Sequence, residues 1–201
     1  MGRLITVVGN SGIGKTTFTR ILCQLAPLDT GIEEHEERPF QYNFVEERRR
    51  YALANQIDYL LLRAEQELSI RHSPRDGVQD GGLDLDYYVF TKFFYQAGYL
   101  DQIEYQLCRR LHETLRELLG QPDVVVSLQA PLDVIHERFS DRRRQREITI
   151  LADLEVLDTL LDDWLSNKCS APVIRVDASR DDPDYQTIAP QVIEKIYTIL
   201  E

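Results

Sequence analysis

An eight-residue segment near the start of the chain constrains the fold more than any other feature. It matches the pattern G-x-x-x-x-G-K-[ST] in full and comprises Gly9, Asn10, Ser11, Gly12, Ile13, Gly14, Lys15 and Thr16. The apolar segment 4–8 precedes it, and residues 18–25 follow it with the apolar spacing of a helix face. A glycine-rich loop between a buried strand and a helix is typical of phosphate-binding loops. The pattern therefore predicts a site where backbone N–H groups hold the phosphates of a nucleoside triphosphate.

Three side chains at the end of this loop have predicted roles. Lys15 would reach the β- and γ-phosphates, and the Thr16 hydroxyl is a suitable Mg²⁺ ligand. Thr17 extends the predicted phosphate site, and the expected cofactors are ATP and Mg²⁺. The alternative is a glycine-rich turn with an accidental lysine, which the flanking strand and helix disfavour. A GTPase is also disfavoured, because residues 167–170 (N-K-C-S) lack the aspartate of a guanine-reading N-K-x-D motif and precede a strand.

Composition narrows the class of protein further. The chain has 201 residues and 43% hydrophobic content, which suits a single domain spanning residues 1–201. Its net charge of −11 disfavours nucleic acid and anionic membranes as partners. Mean hydropathy is −0.34, and no apolar run approaches membrane-spanning length. Three widely spaced cysteines exclude a disulfide framework and favour a cytoplasmic location.

The order of apolar patterns predicts alternating strands and helices. Strands are expected at 4–8, 77–80, 124–128 and 173–176, with another short strand ending in a loop within 27–40. Helices are expected at about 51–72, 85–96, 101–119, 132–139, 149–165 and 184–200. Connections of this length permit crossovers between parallel strands. The sequence therefore predicts an α/β fold with a parallel sheet covered on both faces.

Three further segments bear on which molecule accepts the phosphoryl group. They are the acidic stretch 33–40, the segment D-G-G-L-D-L-D-Y-Y-V-F at 80–90 and the arginine-rich stretch 138–147. The last contains R-x-x-x-R-x-R-x-x-E and is followed by Asp153-Leu154-Glu155 and Trp164, while Gln56 is followed seven residues later by Arg63. In these features the chain resembles the deoxynucleoside kinase family, which includes deoxycytidine, deoxyguanosine and bacterial deoxyadenosine kinases.

The resemblance covers nearly the whole chain and implies both a fold and an activity. The implied fold is a three-layer αβα P-loop kinase with a five-stranded parallel sheet and an arginine-rich lid at about 138–147. The implied activity is ATP-dependent phosphorylation of the 5′-hydroxyl of a deoxynucleoside, a reaction of nucleotide salvage. Its partners would be the deoxynucleoside and the triphosphate donor. A homodimer formed through residues about 51–71 and 101–119 is also implied.

The resemblance also assigns catalytic residues. Glu33 is the expected general base, because it lies five residues before Arg38-Pro39-Phe40, and Glu34 is the adjacent alternative. A solvated acidic loop is the competing interpretation. By resemblance, Arg138, Arg142 and Arg144 contact phosphates, the last two stabilising the transferring group, and Glu147 contacts the sugar 3′-hydroxyl. A solvated helix face is the alternative for the arginines.

Four residues are expected to bind the nucleobase. Gln56 and Arg63 share one helix face, and Asp86 and Phe90 share another. By resemblance, the Gln56 amide pairs with the base edge, Arg63 and Asp86 form an ion pair that supplies fixed donors and acceptors, and Phe90 stacks on the ring. The alternative is a core salt bridge and a core aromatic. This arrangement favours purine deoxynucleosides or deoxycytidine over thymidine.

The sequence departs from the family pattern at two places. Asp80-Gly81-Gly82 stands where the family has acid-Arg-Ser, so an arginine is missing, although Asp80 could serve Mg²⁺ through its water shell. The sugar-contacting tyrosine of the family falls near Phe44-Val45, with Tyr42 close by. Two alternative functions therefore stay open: a non-catalytic nucleotide-binding protein and a nucleoside monophosphate kinase.

Overall fold

The sheet of the protein has five strands, all parallel. The computed structural model describes residues 1–31, 38–141, 148–179 and 185–201. The strands are β1 (Leu4–Val8), β2 (Asp29–Gly31), β3 (Gly77–Asp80), β4 (Val124–Gln129) and β5 (Val173–Asp177). Their order across the sheet is β2-β3-β1-β4-β5. The predicted five-stranded parallel α/β fold is therefore confirmed.

Helices connect the strands. The helices are α1 (Lys15–Leu25), α2 (Pro39–Glu46), α3 (Arg48–His72), α4 (Leu83–Leu85), α5 (Lys92–Gln96), α6 (Gln102–Leu119), α7 (Leu132–Asp141), α8 (Leu154–Asn167) and α9 (Ala189–Leu200). A π-helical turn, Asp86–Thr91, joins α4 to α5, and a 3₁₀ turn, Leu151–Asp153, precedes α8. Because β1 lies centrally with its neighbours on opposite sides, ligands are expected at the carboxyl ends of these strands. In the described part of the chain, no helix is long and apolar enough to cross a membrane.

The observed helices differ from the predicted ones in several places; α8, for example, begins at Leu154 rather than about residue 149. Helix α2 was not predicted, because only Phe44 is buried in it and it therefore has no apolar stripe; Pro39 occupies its first turn, where a missing N–H costs nothing. The predicted helix 85–96 is divided by the π-helical turn. The last helix begins at Ala189 rather than about residue 184, after a short turn at 186–188.

A buried group of charges holds α3, α4 and α6 together. Arg116 of α6 donates to both carboxylate oxygens of Glu67 in α3, at 2.6 and 2.8 Å, and to Asp84 in α4 at 2.9 Å. The His112 Nε2 lies 2.7 Å from the same Asp84 oxygen. Burial by itself would raise the pKa of Asp84, but the hydrogen bond to His112 and the charge of Arg116 outweigh it and lower that pKa. Arg116 is therefore the cation that makes two buried carboxylates tolerable.

We expect Arg116→Met to destabilise the protein strongly. Removing this cation leaves Glu67 and Asp84 buried and poorly paired, which costs about 3–5 kcal/mol in such sites. Arg49→Met is the matched control, because Arg49 pairs with Glu104 and Asp101 at the surface and is 53% exposed; its expected cost is below about 1 kcal/mol. Urea unfolding followed by circular dichroism measures both. Equal costs for the two variants would contradict the role assigned to Arg116.

Candidate active site

The phosphate loop is fixed in place from the C-terminal side of the chain. Gly14 has φ +105°, and a Cβ on it would lie 2.6 Å from the hydroxyl of Tyr185. That hydroxyl donates to the carbonyl of Ile13 at 3.1 Å, and the Tyr185 ring packs edge-on against Phe18. Glycine is therefore required at residue 14 for both its backbone conformation and its lack of a side chain. The loop leads directly into α1 at Lys15.

Asn10 connects the phosphate loop to α8. Its side-chain nitrogen donates to the carbonyl of Leu154 at 2.9 Å and to Asp158 at 3.1 Å. Its side-chain oxygen accepts from the backbone N–H of Ser11 at 2.8 Å. Burial raises the pKa of Asp158, and the hydrogen bond from Asn10 opposes that rise. Asn10 thus has a positioning role in the loop in addition to its predicted place in the phosphate site.

The predicted cation ligands lie side by side. The Thr16 hydroxyl donates to Asp80 Oδ2, which brings two hard oxygen ligands together where β3 ends. The Lys15 ammonium donates to the carbonyls of Gly9 and Asn10, at 3.1 and 3.0 Å. The Thr16 hydroxyl and the Asp80 carboxylate suit Mg²⁺, which prefers one or two protein oxygens together with phosphates and water. Among the described residues, no three His, Cys, Asp or Glu side chains gather into a metal-binding group.

One cavity joins this phosphate end to the predicted nucleobase site. At the phosphate end it is lined by Ser11, Lys15, Thr16, Asp80 and Gly81. At the other end the lining includes the four predicted base-binding residues, Gln56, Arg63, Asp86 and Phe90. The side chains of Gln56, Arg63 and Asp86 are buried, whereas Phe90 is half-buried. The structure therefore brings together residues from β3, α1, α3 and the π-helical turn around one space.

Arg63 links the two ends of the cavity. Its Nε donates to the Asp86 carboxylate at 2.7 Å, and its Nη1 donates to the carbonyl of Asp80 at 2.8 Å. The predicted ion pair between Arg63 and Asp86 is therefore present and buried. The Gln56 amide nitrogen donates to the backbone carbonyl of Asp86 at 2.9 Å, which holds α3 against the π-helical turn.

Several predicted site residues lie either outside the described residues or outside the cavity lining. Glu33, Glu34, Arg142, Arg144 and Glu147 lie outside the described residues, so their roles stay predictions. Arg138 lies in the last turn of α7, where its Nη1 donates to the carbonyl of Ala178 at 2.6 Å. Thr17 is exposed on α1, and Gly9 and Gly12 belong to the buried backbone of the loop.

Seven residues of the cavity lining were not predicted from the sequence. They are Gln41, Asn55, Tyr59, Leu85, Phe94, Ile148 and Thr149. Gln41 lies in the unpredicted helix α2, and its side-chain oxygen accepts from the Tyr59 hydroxyl at 2.8 Å. Phe94 stacks on Phe44 with ring centroids 4.7 Å apart. Of these residues, only Asn55 had a sequence signal that could have indicated a place in the cavity, because it is a polar residue directly beside Gln56 on α3.

Comparison with known proteins identifies the family to which the chain belongs. The family model for deoxynucleoside kinase matches residues 5–201. The chain belongs to the deoxynucleoside kinase family. It is 26% identical over 202 residues to a deoxyadenosine/deoxycytidine kinase of Bacillus subtilis (strain 168), covering 96% of this chain and 93% of that protein. It is 30% identical over 159 residues to a deoxyadenosine kinase of Dictyostelium discoideum, covering 79% of this chain and 64% of that protein.

Solved structures share the fold of this kinase. A deoxyadenosine kinase from M. mycoides with bound dCTP superposes with a TM-score of 0.81 at 22% identity, covering 97% of this chain and 99% of that chain. Another structure of that enzyme, with the products dCMP and a flexible dCDP, has a TM-score of 0.77, with 98% of both chains covered. Each superposition therefore covers 97% or more of this chain.

The family arginine that is absent at Gly81 could not be accommodated without rearrangement. Gly81 has φ +87°, and a Cβ on it would lie 3.1 Å from Nη2 of Arg63. Its N–H donates to the carbonyl of Val7 at 2.8 Å, which fixes this backbone at the end of β1. The space beside Gly81 is thus filled by the guanidinium of Arg63.

We expect Gly81→Arg to lower stability and to leave turnover no higher than that of the unmodified protein. The positive φ costs a non-glycine residue about 1–2 kcal/mol, and the new side chain would displace Arg63 from Asp80 and Asp86. Gly98→Arg is the matched control, because Gly98 has φ +73° and a Cβ on it would meet no other atom within 4 Å. Thermal unfolding and coupled kinase assays compare the two. Higher turnover in Gly81→Arg would show that the glycine merely weakens the site.

Proposed function

We propose that this kinase transfers the γ-phosphoryl group of ATP to the 5′-hydroxyl of a deoxynucleoside. The observation that carries the proposal is the single cavity with Lys15 and Thr16 at one end and Gln56, Asp86 and Phe90 at the other. A nucleoside has a polar base and a hydroxyl at opposite ends, which matches this distribution. The curated relatives described above, which are deoxyadenosine or deoxyadenosine/deoxycytidine kinases, support the same substrate class.

The proposed chemistry needs a base, phosphate-binding cations and a divalent cation. Glu33 would accept the proton of the 5′-hydroxyl, with Glu34 as the alternative, and Arg142 and Arg144 would stabilise charge on the transferring group. Lys15 would hold the β- and γ-phosphates, and Arg138 would add a further phosphate contact. Thr16 and Asp80 would hold Mg²⁺, which supplies charge neutralisation between the phosphates.

The contacts of the residues that flank Glu33 and Glu34 support the assignment of the general base to this segment. Strand β2 ends at Gly31 on the carboxyl edge of the sheet, the edge that also carries the phosphate loop. Arg38 makes a two-point ion pair with Asp58 of α3, at 2.6 and 2.8 Å. Gly31 and Arg38, the described residues on either side of Glu33 and Glu34, are therefore both held in place.

The Arg63–Asp86 pair supports a preference among bases. Asp86 is ordered by the guanidinium and can accept hydrogen bonds from an exocyclic amino group, whereas the O4 of thymine is another acceptor and would be repelled. We therefore propose deoxyadenosine, deoxyguanosine or deoxycytidine as substrates. Glu147 would contact the 3′-hydroxyl of the sugar.

Exposed apolar side chains support a homodimer of this kinase through α3 and α6. These helices pack against each other, and each leaves large apolar residues in contact with solvent: Leu61, Leu68, Ile103, Leu107 and Leu118. Pairing of these faces between two copies would cover apolar surface that a monomer leaves exposed.

The second candidate function is nucleotide binding without catalysis. It is favoured by the glycine at residue 81, where the family pattern has an arginine. A nucleoside monophosphate kinase is less well supported, because Gly81 and Gly82 offer no cation for an acceptor phosphate. ADP release that depends on an added deoxynucleoside would exclude the non-catalytic alternative.

We expect thymidine to be the poorest substrate of the four deoxynucleosides, with a kcat/KM about tenfold or more below the others. The reason is that the O4 of thymine and the Asp86 carboxylate are both hydrogen-bond acceptors, and neither would have a donor when they face each other in the buried site. A coupled ADP assay with all four measures this. In the double variant Arg63→Met with Asp86→Ala, the difference in kcat/KM between thymidine and the other three deoxynucleosides should become smaller. Equal use of thymidine by the unmodified protein would remove the assigned base preference and leave the kinase activity standing.

We expect Glu33→Gln to lower kcat by roughly 10²–10⁴ while ATP still binds, because only the general base is lost. Glu34→Gln is the matched control, with the same change one residue away and near-normal kcat expected. Isothermal titration with ATP and steady-state kinetics separate binding from turnover. If Glu34→Gln has the larger effect, the base is Glu34.

A further inference from the structure

Asn55 combines deep burial with the absence of any hydrogen-bond partner among the described residues. It is 1% exposed, and neither its side-chain oxygen nor its side-chain nitrogen has a partner there. Buried amides in proteins are nearly always paired, because the unpaired group loses its hydrogen bonds to water. Since Asn55 lines the cavity, a molecule in that cavity could supply the missing partners.

The position of Asn55 on α3 places it at the base end of the cavity. Arg63, which contacts Asp80 at the phosphate end, lies eight residues further along the helix, so the two positions are separated by about 12 Å at 1.5 Å per residue. Gln56, the next residue, contacts the backbone of Asp86. Asn55 is therefore adjacent in sequence to a residue assigned to the nucleobase, and it lies about 12 Å along the helix from the residue that contacts Asp80.

The other two carboxamides of the cavity already have protein partners. The Gln56 nitrogen donates to the Asp86 carbonyl, and the Gln41 oxygen accepts from Tyr59. Asn55 differs because both its donor and its acceptor lack partners in the described part of the chain. A carboxamide with both groups available can form two adjacent hydrogen bonds to a base edge, as asparagine does with adenine.

We propose that Asn55 is a base-binding residue of this kinase, pairing through its amide with the base edge that carries the exocyclic amino group. This inference rests on the proposed function and adds a residue to its substrate site. The amide oxygen accepts from the amino group, and the amide nitrogen donates to the neighbouring ring nitrogen. Because an amide can pair with either order of donor and acceptor, Asn55 anchors the base, and Asp86 discriminates among bases.

The thermal stability of the ligand-free protein distinguishes a base-binding Asn55 from a structural one. An amide buried without partners destabilises the ligand-free protein. Asn55→Leu replaces it with an apolar side chain of similar size, so the thermal midpoint of the ligand-free protein should stay the same or rise. A structural amide would instead lower the midpoint when removed.

The test measures kcat/KM for the best of the four deoxynucleosides and for its analogue that lacks the exocyclic amino group, such as 2′-deoxynebularine for deoxyadenosine. Asn55→Leu should lower kcat/KM for the natural substrate by about tenfold or more and should affect the analogue less. The rise in thermal midpoint on adding the deoxynucleoside should shrink in parallel. Asn55→Ala gives a second variant should leucine not fit.

Ser127→Ala is the matched control, because Ser127 is also fully buried with an unpartnered hydroxyl among the described residues, but lies on β4 outside the cavity lining. It should leave kcat/KM unchanged. The proposal is overturned if Asn55→Leu and Asn55→Ala keep the kcat/KM of the unmodified protein, or if substrate and analogue lose equally. An unmodified protein that turns over none of the four deoxynucleosides overturns the proposed function and this inference together.

Discussion

The guanidinium of Arg63 is the physical link on which the site depends. It bonds to the Asp86 carboxylate and to the Asp80 carbonyl, so one rigid cation sets the spacing between the base end and the phosphate end of the cavity. A buried ion pair is tolerable only when its remaining hydrogen bonds are also satisfied, and here the backbone of β3 supplies one of them. Gly81 belongs to the same arrangement, because its missing side chain leaves room for the guanidinium.

The residues around Arg63 explain how helices far apart in sequence form one site. Gln56 fastens α3 to the π-helical turn, and Arg116 fastens α3 to α4 and α6 through Glu67 and Asp84. The phosphate loop is held separately, by Asn10 to α8 and by Tyr185 near α9. Polar side chains therefore hold the helices and the phosphate loop in their positions around the cavity.

Sequence reasoning predicted the parts of the structure that follow from strong local patterns. The phosphate loop, the five strands and the meeting of Gln56 and Arg63 with Asp86 and Phe90 were all predicted and are present. Helix α2 was missed because its single buried residue, Phe44, produces no periodicity. Gln41 and Thr149 were missed because their place in the cavity depends on tertiary packing that no local pattern records.

The π-helical turn at Asp86–Thr91 sets the relative directions of two residues of the candidate substrate site. Such turns hold one residue more than an α-helical turn, and each residue of an α-helix rotates the chain by about 100°. Loss of a single residue there would return the segment to a regular helix and turn Asp86 and Phe90 relative to each other. A one-residue deletion would therefore change the relative directions of two residues proposed to bind the base, which no single substitution does.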